Sequence, residues 1–304
     1  ESLLAKIRSG EMMSRNEKFN LIIQLSIPSI LAQVTTVLMF YIDAGMVGSL
    51  GAEPSAAIGL VEPATWLFFS LVSAVTMGFS VQVAHFIGAN DFAKARAVMR
   101  HGYIFGLCFA LFLLLITFLI GYRLPVWLGG GADIQHDATV YFLIFSLIIP
   151  FHLIEYMSAA MLKVSGDMRR PSFMAILMCV LDVIFNYFFI FPTRTVSLFG
   201  VEVTMPGLGE GVAGAALGSL LSFVCVALPL AYYAIFRSPI LAWKQDVERF
   251  VWRWQYIWNA MKIGAPMALQ YLLMNGAQLV STMIVAPLGN IAIAAHSFAI
   301  TAES

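Results

Sequence analysis

Seven stretches of this chain stay apolar for 20 or more residues, and they constrain its fold more than any other feature: Phe19–Leu50, Ile58–Gly88, Ala95–Tyr122, Ala138–Lys163, Pro171–Phe191, Gly211–Phe236 and Tyr256–Leu288. An α-helix rising about 1.5 Å per residue needs about 20 apolar residues to cross the hydrocarbon core of a bilayer. An eighth stretch begins near Ile291 and reaches Ser304 after 14 residues, which is too short to cross. The chain therefore reads as an all-α polytopic membrane protein and as a fragment of something longer. Only 11% of its residues are charged, against roughly a quarter in a soluble domain, which excludes a disordered chain and an ordinary soluble enzyme. A formal net charge of +0 gives no general attraction to nucleic acid. No cleavable signal is expected, because the first apolar run is too long and lacks an A-x-A site.

The cations fix an orientation. Taking alternate ends as one side, Lys6, Arg8, Arg15, Lys18, Lys94, Arg96, Arg100, Lys163, Arg169, Arg170, Arg237, Lys244, Arg249, Arg253 and Lys262 fall together, and only Arg123 and Arg194 fall opposite. A split of 15 to 2 puts the N-terminus in the cytoplasm by the positive-inside rule, and a miscounted span would scramble it. Cytoplasmic turns carry helix punctuation: Gly88-Ala-Asn-Asp91 reads as a C′ glycine followed by an N-cap acid, and Gly166-Asp-Met-Arg-Arg-Pro171 as a turn with Pro at a helix start. The segment Arg237–Arg253 mixes cations with Trp243 and Trp252, with Trp254 and Trp258 just beyond it, as a linker lying at the headgroups would. Cys108, Cys179 and Cys225 lie in three different apolar runs, so no disulfide or metal framework is implied.

The first and seventh runs share a pattern at an offset of 238 residues. Pro28 matches Pro266, Val47 matches Val285, Leu50-Gly51 matches Leu288-Gly289, and Ala56-Ala57 matches Ala294-Ala295. Six spans separate the copies, so the repeat is parallel, with its axis along the membrane normal. This is the arrangement of a two-lobe transporter whose substrate site lies between lobes. The expected organisation is a cytoplasmic N-terminus (1–18), a six-helix lobe (19–236), an interfacial linker (237–255) and the start of a second six-helix lobe (256–304).

Charges at membrane depth cost about 2.5–3.5 kcal/mol or more, so each needs an account. Asp43 lies about 10 Å inside the outer end of span one, Asp182 and Asn186 lie about 14 and 8 Å deep on span five, and Ser219 about 12 Å deep on span six. Four polar groups on three helices thus share one depth. Gln33, Thr36, Phe40 and Asp43 share a face of span one. The two carboxylates point to a site for H⁺, a metal ion such as Na⁺, or a cationic substrate, whereas Ser219 and Ser222 taken by themselves read better as hydrogen-bonded helix glue. Asn275 and Gln278 on span seven and Glu155 on span four join Gln33, Thr36 and Phe40 as candidate pocket residues. Glu155 and His152 also read as a structural pair near the inner side. Glu62 lies before Pro63 where water can reach it, and no role is assigned to it. His85 and His296 read as packing residues. Gly209-Glu-Gly-Val-Ala-Gly214 fits G-x-G-x-x-G but opens an apolar helix outside any βαβ unit, so it reads as close helix packing.

These residues resemble the multidrug and toxic compound extrusion (MATE) family. The resemblance rests on Pro28, Asp43-Ala-Gly-Met-Val-Gly-Ser-Leu-Gly51, Gly88-Ala-Asn-Asp91 with Lys94-Ala95, Gly166-Asp-Met-Arg-Arg-Pro171, and Gly211-Val-Ala-Gly-Ala-Ala216, in the family's order. It implies twelve helices in two lobes of six and export of organic cations in exchange for Na⁺ or H⁺, with no cofactor. Asp43 matches the family's first-span aspartate, implicated in coupling, and Ser219 falls where many members carry Thr. Two departures stand out. Family members often carry Asn then Asp on span five, here Asp182 then Asn186, a shift of the charge by about 6 Å. A span-seven Glu of some members corresponds to Met274, which puts more weight on Asp43 and Asp182.

The sequence thus leads to a cation-coupled antiporter working by alternating access, monomeric, in the plasma membrane, with organic cations and the lipid bilayer as partners. Na⁺ would sit at Asp43, Asp182 and Asn186. A lipid-linked oligosaccharide flippase would call for a more cationic cavity to hold its pyrophosphate. A seven-helix receptor would need an extracellular N-terminus, against the 15 to 2 split.

Overall fold

The computed structural model describes residues 12, 14–198, 201–245 and 250–303. Among them are seven helices long and apolar enough to cross a membrane: α1 (Arg15–Gly48), α2 (Ala52–Gly88), α3 (Phe92–Gly121), α4 (Gln135–Val164), α5 (Arg169–Ile190), α6 (Gly211–Arg237) and α7 (Trp254–Leu288). A shorter helix, α8 (Asn290–Glu303), follows. Together they make a polytopic membrane protein. Most of the N-terminal segment 1–18 lies outside the described residues, but Ser14 caps α1: its hydroxyl accepts the Glu17 N–H, and the Glu17 carboxylate accepts the Ser14 N–H at 2.9 Å.

The central helix is α2, which packs against α3, α4, α7 and α8 and is buried along much of its length. Small residues let its neighbours approach closely. A Cβ added at Gly78 would strike the backbone carbonyl of Ala260 on α7, and Gly264 on α7 meets the backbone of Ala74 in the same way. By contrast α1 turns Leu31, Val34, Leu38 and Ile42 outward, and α3 does the same with Phe112, Leu115 and Leu119. Rows of exposed apolar side chains at helical spacing fit a surface solvated by lipid. The α4 ladder breaks at Leu147, between Ser146 and Ile148. Pro150 supplies the cause, since it has no N–H to give the Ser146 carbonyl and its ring crowds that turn.

One element departs from the all-α expectation. Pro192–Leu198 and Val201–Leu208 form an antiparallel hairpin between α5 and α6. Thr and Val recur on both arms, and such β-branched residues favour extended backbone in a segment outside the spanning helices.

The turns obey the expected chemistry with one correction. After α2 the left-handed residue is Asn90 (φ 58°), not Gly88, which stays helical. Asn tolerates that conformation through its short polar side chain. Asp91 then caps α3, accepting the Lys94 N–H at 3.1 Å and pairing with its ammonium at 2.7 Å. Those hydrogen bonds from Lys94 hold the Asp91 carboxyl below its ordinary range. The repeat positions Gly51 and Gly289 share one unusual backbone, φ/ψ of 115°/−178° and 99°/173°, which only glycine adopts readily.

The linker after α6 is gripped from above by α3. Arg96 donates to the Ile240 carbonyl at 3.1 Å, and Arg100 donates to the Trp243 carbonyl at 3.0 Å while lying over its ring. His101 accepts the Arg253 N–H at 2.8 Å and stacks on Trp252. Trp243 thus packs inward, while Trp252, Trp254 and Trp258 remain exposed.

Candidate functional site

Three helices converge on one polar cluster because their facing surfaces are built to let them. A Cβ at Gly214 would strike the Phe189 carbonyl, and one at Gly218 would strike the Asn186 side chain, so the bare backbone of α6 lies directly against α5. The second half of the G-x-G-x-x-G stretch therefore serves close helix packing. α1 packs on the same face of α5, with Cys179 Sγ 4.0 Å from the Thr36 hydroxyl.

At the meeting point the Asn186 amide donates to both carboxyls, 3.2 Å to Asp43 Oδ1 and 3.0 Å to Asp182 Oδ2. Ser222 donates to Asp182 Oδ1 at 3.1 Å, and Ser219 also reaches Asp182. The two carboxyls lie within hydrogen-bond reach of each other. Asp182 and Asn186 are each 3% exposed, whereas Asp43 is half-buried. No cation pairs with either aspartate among the described residues. The Asn186 carbonyl oxygen is buried without a hydrogen-bond partner. Two carboxyls joined by one amide can hold a single proton between them. The same oxygens, with the unpartnered carbonyl, form an oxygen-rich set of the kind hard cations such as Na⁺ prefer.

Asp43, Asp182, Asn186 and Ser219 are thus brought together, and Ser222, three residues beyond Ser219, provides the direct hydroxyl donor. Its signal is legible as the second serine at one-turn spacing on α6. Thr36 lies beside the cluster, while Gln33 is exposed and outside it. Phe40, one turn before Asp43, meets Trp66 of α2 edge-on with ring centres 5.7 Å apart. Glu155 stands apart and makes neither a hydrogen bond nor an ion pair with His152. His152 instead stacks on Phe69 at 4.6 Å, and neither ring nitrogen has a partner.

Asn275 and Gln278 lie on α7, which packs against α2 rather than beside the aspartates. Asn275 is buried and donates to Ser70 Oγ of α2 at 3.1 Å. Gln278 is half-buried one turn away, its carbonyl accepting from Thr282. Met274 is exposed. Glu62, expected to face water, instead accepts from Ser297 Oγ of α8 at 3.0 Å and from the Trp66 indole at 3.4 Å. Its partner lies 235 residues away, beyond the reach of local sequence reasoning.

Gly218→Ala tests how far the site depends on close approach. The added methyl must displace Asn186 or the helix, so the variant is expected to lose about 1–3 kcal/mol of stability. A melting temperature equal to the wild type's would show that the α5–α6 contact yields freely.

Comparisons with known proteins agree with this architecture. The family model MatE matches residues 28–188. The chain is 25% identical over 288 residues to a probable multidrug resistance protein NorM of Neisseria meningitidis, covering 94% of this chain and 60% of that protein. It is 22% identical over 283 residues to the multidrug export protein MepA of Staphylococcus saprophyticus, covering 93% and 59%. A solved structure of MATE in the straight conformation superposes with a TM-score of 0.76 at 23% identity, covering 92% of this chain and 59% of that one. An inward-facing multidrug resistance MATE family transporter of the MOP superfamily gives 0.74 at 22%, covering 91% and 60%. The chain therefore spans about 60% of the length of these relatives. With the family model matching more than half of its residues, and with the helices of solved MATE proteins laid over its own, the chain belongs to the MatE family.

Proposed function

We propose that the protein is a secondary active antiporter that exports organic cations in exchange for Na⁺ or H⁺ by alternating access. The observation that carries this reading is the pair of carboxyls, Asp43 and Asp182, joined by one Asn186 amide and set in the apolar interior of three spanning helices without a counter-cation among the described residues. Such a pair is expensive to keep charged and stable once neutralised, by a proton or by a cation. Neutralisation that favours one conformation over the other is what couples an ion gradient to transport. In this scheme residues 19–236 are the first lobe, 237–255 the linker and 256–304 the start of the second, with the N-terminus cytoplasmic, the protein monomeric and the plasma membrane as its site. The names of the NorM and MepA relatives support drug-like substrates. A pyrophosphate-carrying flippase is disfavoured because Lys and Arg are absent from the cluster and from the α2–α7 contact around Ser70 and Asn275.

The test is transport of ethidium by the full-length protein in vesicles, with a Na⁺ gradient and a pH gradient imposed separately. Uptake driven by one gradient identifies the coupling ion. Uptake driven by neither removes the antiport reading.

A further inference from the structure

The first turn of α7 is held by a side chain from another helix. Arg253 is the N-cap of α7, and its own side chain caps nothing. Its N–H is accepted instead by His101 of α3, whose ring is fully buried. Nδ1 of His101 lies 2.7 Å from the Ala97 carbonyl, which can only accept, so Nδ1 carries the hydrogen. The Nε2 lone pair is then the acceptor for the Arg253 N–H at 2.8 Å. One tautomer of the neutral imidazole makes both bonds. Three rings enclose it: Phe250 and Trp252 of the linker, at 4.9 and 4.8 Å between ring centres, and Tyr256 of α7, edge-on at 5.2 Å. The charged groups around this cage among the described residues are cations. Arg253 is the direct partner, Arg100 precedes His101 on α3, and Lys94 lies over Phe86, which in turn meets Tyr256. Asp91, the acid of that turn, pairs with Lys94 at 2.7 Å. Asp246, Glu248 and Arg249 of the linker lie outside the described residues.

We propose that His101 is a pH-operated pin, which holds the end of the linker and the first turn of α7 on the first lobe while neutral and lets them go once protonated. A protonated imidazole carries hydrogen on both nitrogens. Nε2 then faces the Arg253 N–H donor to donor, and a positive charge enters at the positive end of the α7 dipole, beside Arg253. Inside the cage that charge has no acceptor at Nε2, whereas in the released state water accepts from both N–H groups. The docked state therefore binds fewer protons at this ring than the released state, and acid shifts the balance towards release. The neighbouring grip does not titrate: Arg96 on the Ile240 carbonyl and Arg100 on the Trp243 carbonyl stay charged. Further along α7 the backbone contact of Ala260 with Gly78 also persists. Release is thus local to residues 250–256. In the alternating-access scheme proposed above, the pin joins the two lobes on their cation-rich side, and a fall in pH on that side frees them to move.

The experiment is hydrogen exchange of the full-length protein in detergent between pH 8 and 5.5, read by mass spectrometry and corrected at each pH for the intrinsic exchange rate. A free imidazole titrates near pH 6.5 and at pH 5.5 is about ten parts charged to one neutral, so the protection of residues 250–256 is expected to fall about tenfold. Residues 238–245 and the later turns of α7 are expected to keep theirs. His101→Gln, whose amide can donate to Ala97 and accept from Arg253 without titrating, is expected to hold its protection across the range. His101→Phe fills the cage but offers no acceptor, so low protection of residues 250–256 is expected at every pH. Constant protection of the wild type across the range, a pH response that survives in either variant, wild-type protection in His101→Phe at pH 8, or a loss spread evenly over residues 238–245 and all of α7 would each overturn the pin. None of these results bears on Asp43 and Asp182, so the antiport reading would stand or fall separately.

Discussion

Asp43→Asn is expected to reduce gradient-driven export to the passive leak while leaving the protein folded and inserted. Asn keeps the size of the side chain and can still meet the Asn186 amide through its carbonyl oxygen, so the packing of α1 on α5 survives. It can neither release a proton nor neutralise a bound cation. A driving ion moves a conformational equilibrium only by its difference in affinity for the two states, and without the carboxyl most of that difference disappears. The measurement is ethidium efflux from cells expressing wild type or variant at matched membrane levels. Wild-type efflux would take Asp43 out of the mechanism.

The second large effect concerns Asp182. The sequence leaves two roles open for it: orienting the site, or sharing the titrating charge. The structure favours sharing, because one Asn186 amide bridges both carboxyls and they lie within reach of each other. Groups that hold one proton in common fail as a unit. Asp182→Asn is therefore expected to lower coupled export as far as Asp43→Asn does, and the double variant no further. An additive double loss would mean two independent ion sites. A mild Asp182→Asn phenotype would mean that Asp182 only positions Asn186 and Ser222.

These substitutions act through different physics. Gly218→Ala works through backbone distance and is read as stability. The two aspartate substitutions work through charge and are read as coupling.

Much of this molecule is legible in its amino-acid sequence. The spans are set by hydropathy and length, because backbone groups in lipid must be satisfied within a helix and a helix of fixed rise must cover a fixed thickness. All seven spans lie where the apolar runs place them, with no end shifted by more than six residues. The common depth of Asp43, Asp182, Asn186 and Ser219 follows from the same arithmetic, since depth is a coordinate along one helix. Which helices are neighbours, and which face each presents, is not such a coordinate. Gly214 and Gly218 look like any small residues until α5 is seen against them. Ser222 outranks Ser219 as a donor only through a rotation of α6 that its own sequence does not fix. Asn275 pairs with Ser70 rather than joining the aspartates, and Glu62 finds Ser297 rather than water, because α7 and α8 close on α2. The hairpin between α5 and α6 is hidden in the sequence for a related reason: outside the membrane core, hydropathy no longer dictates the backbone, and short β-branched arms declare themselves only by pairing. Sequence alone determined what lies at each depth of the membrane. Tertiary structure decided which of those groups meet, since contact between helices depends on rotation and approach summed over many weak interactions along their whole length.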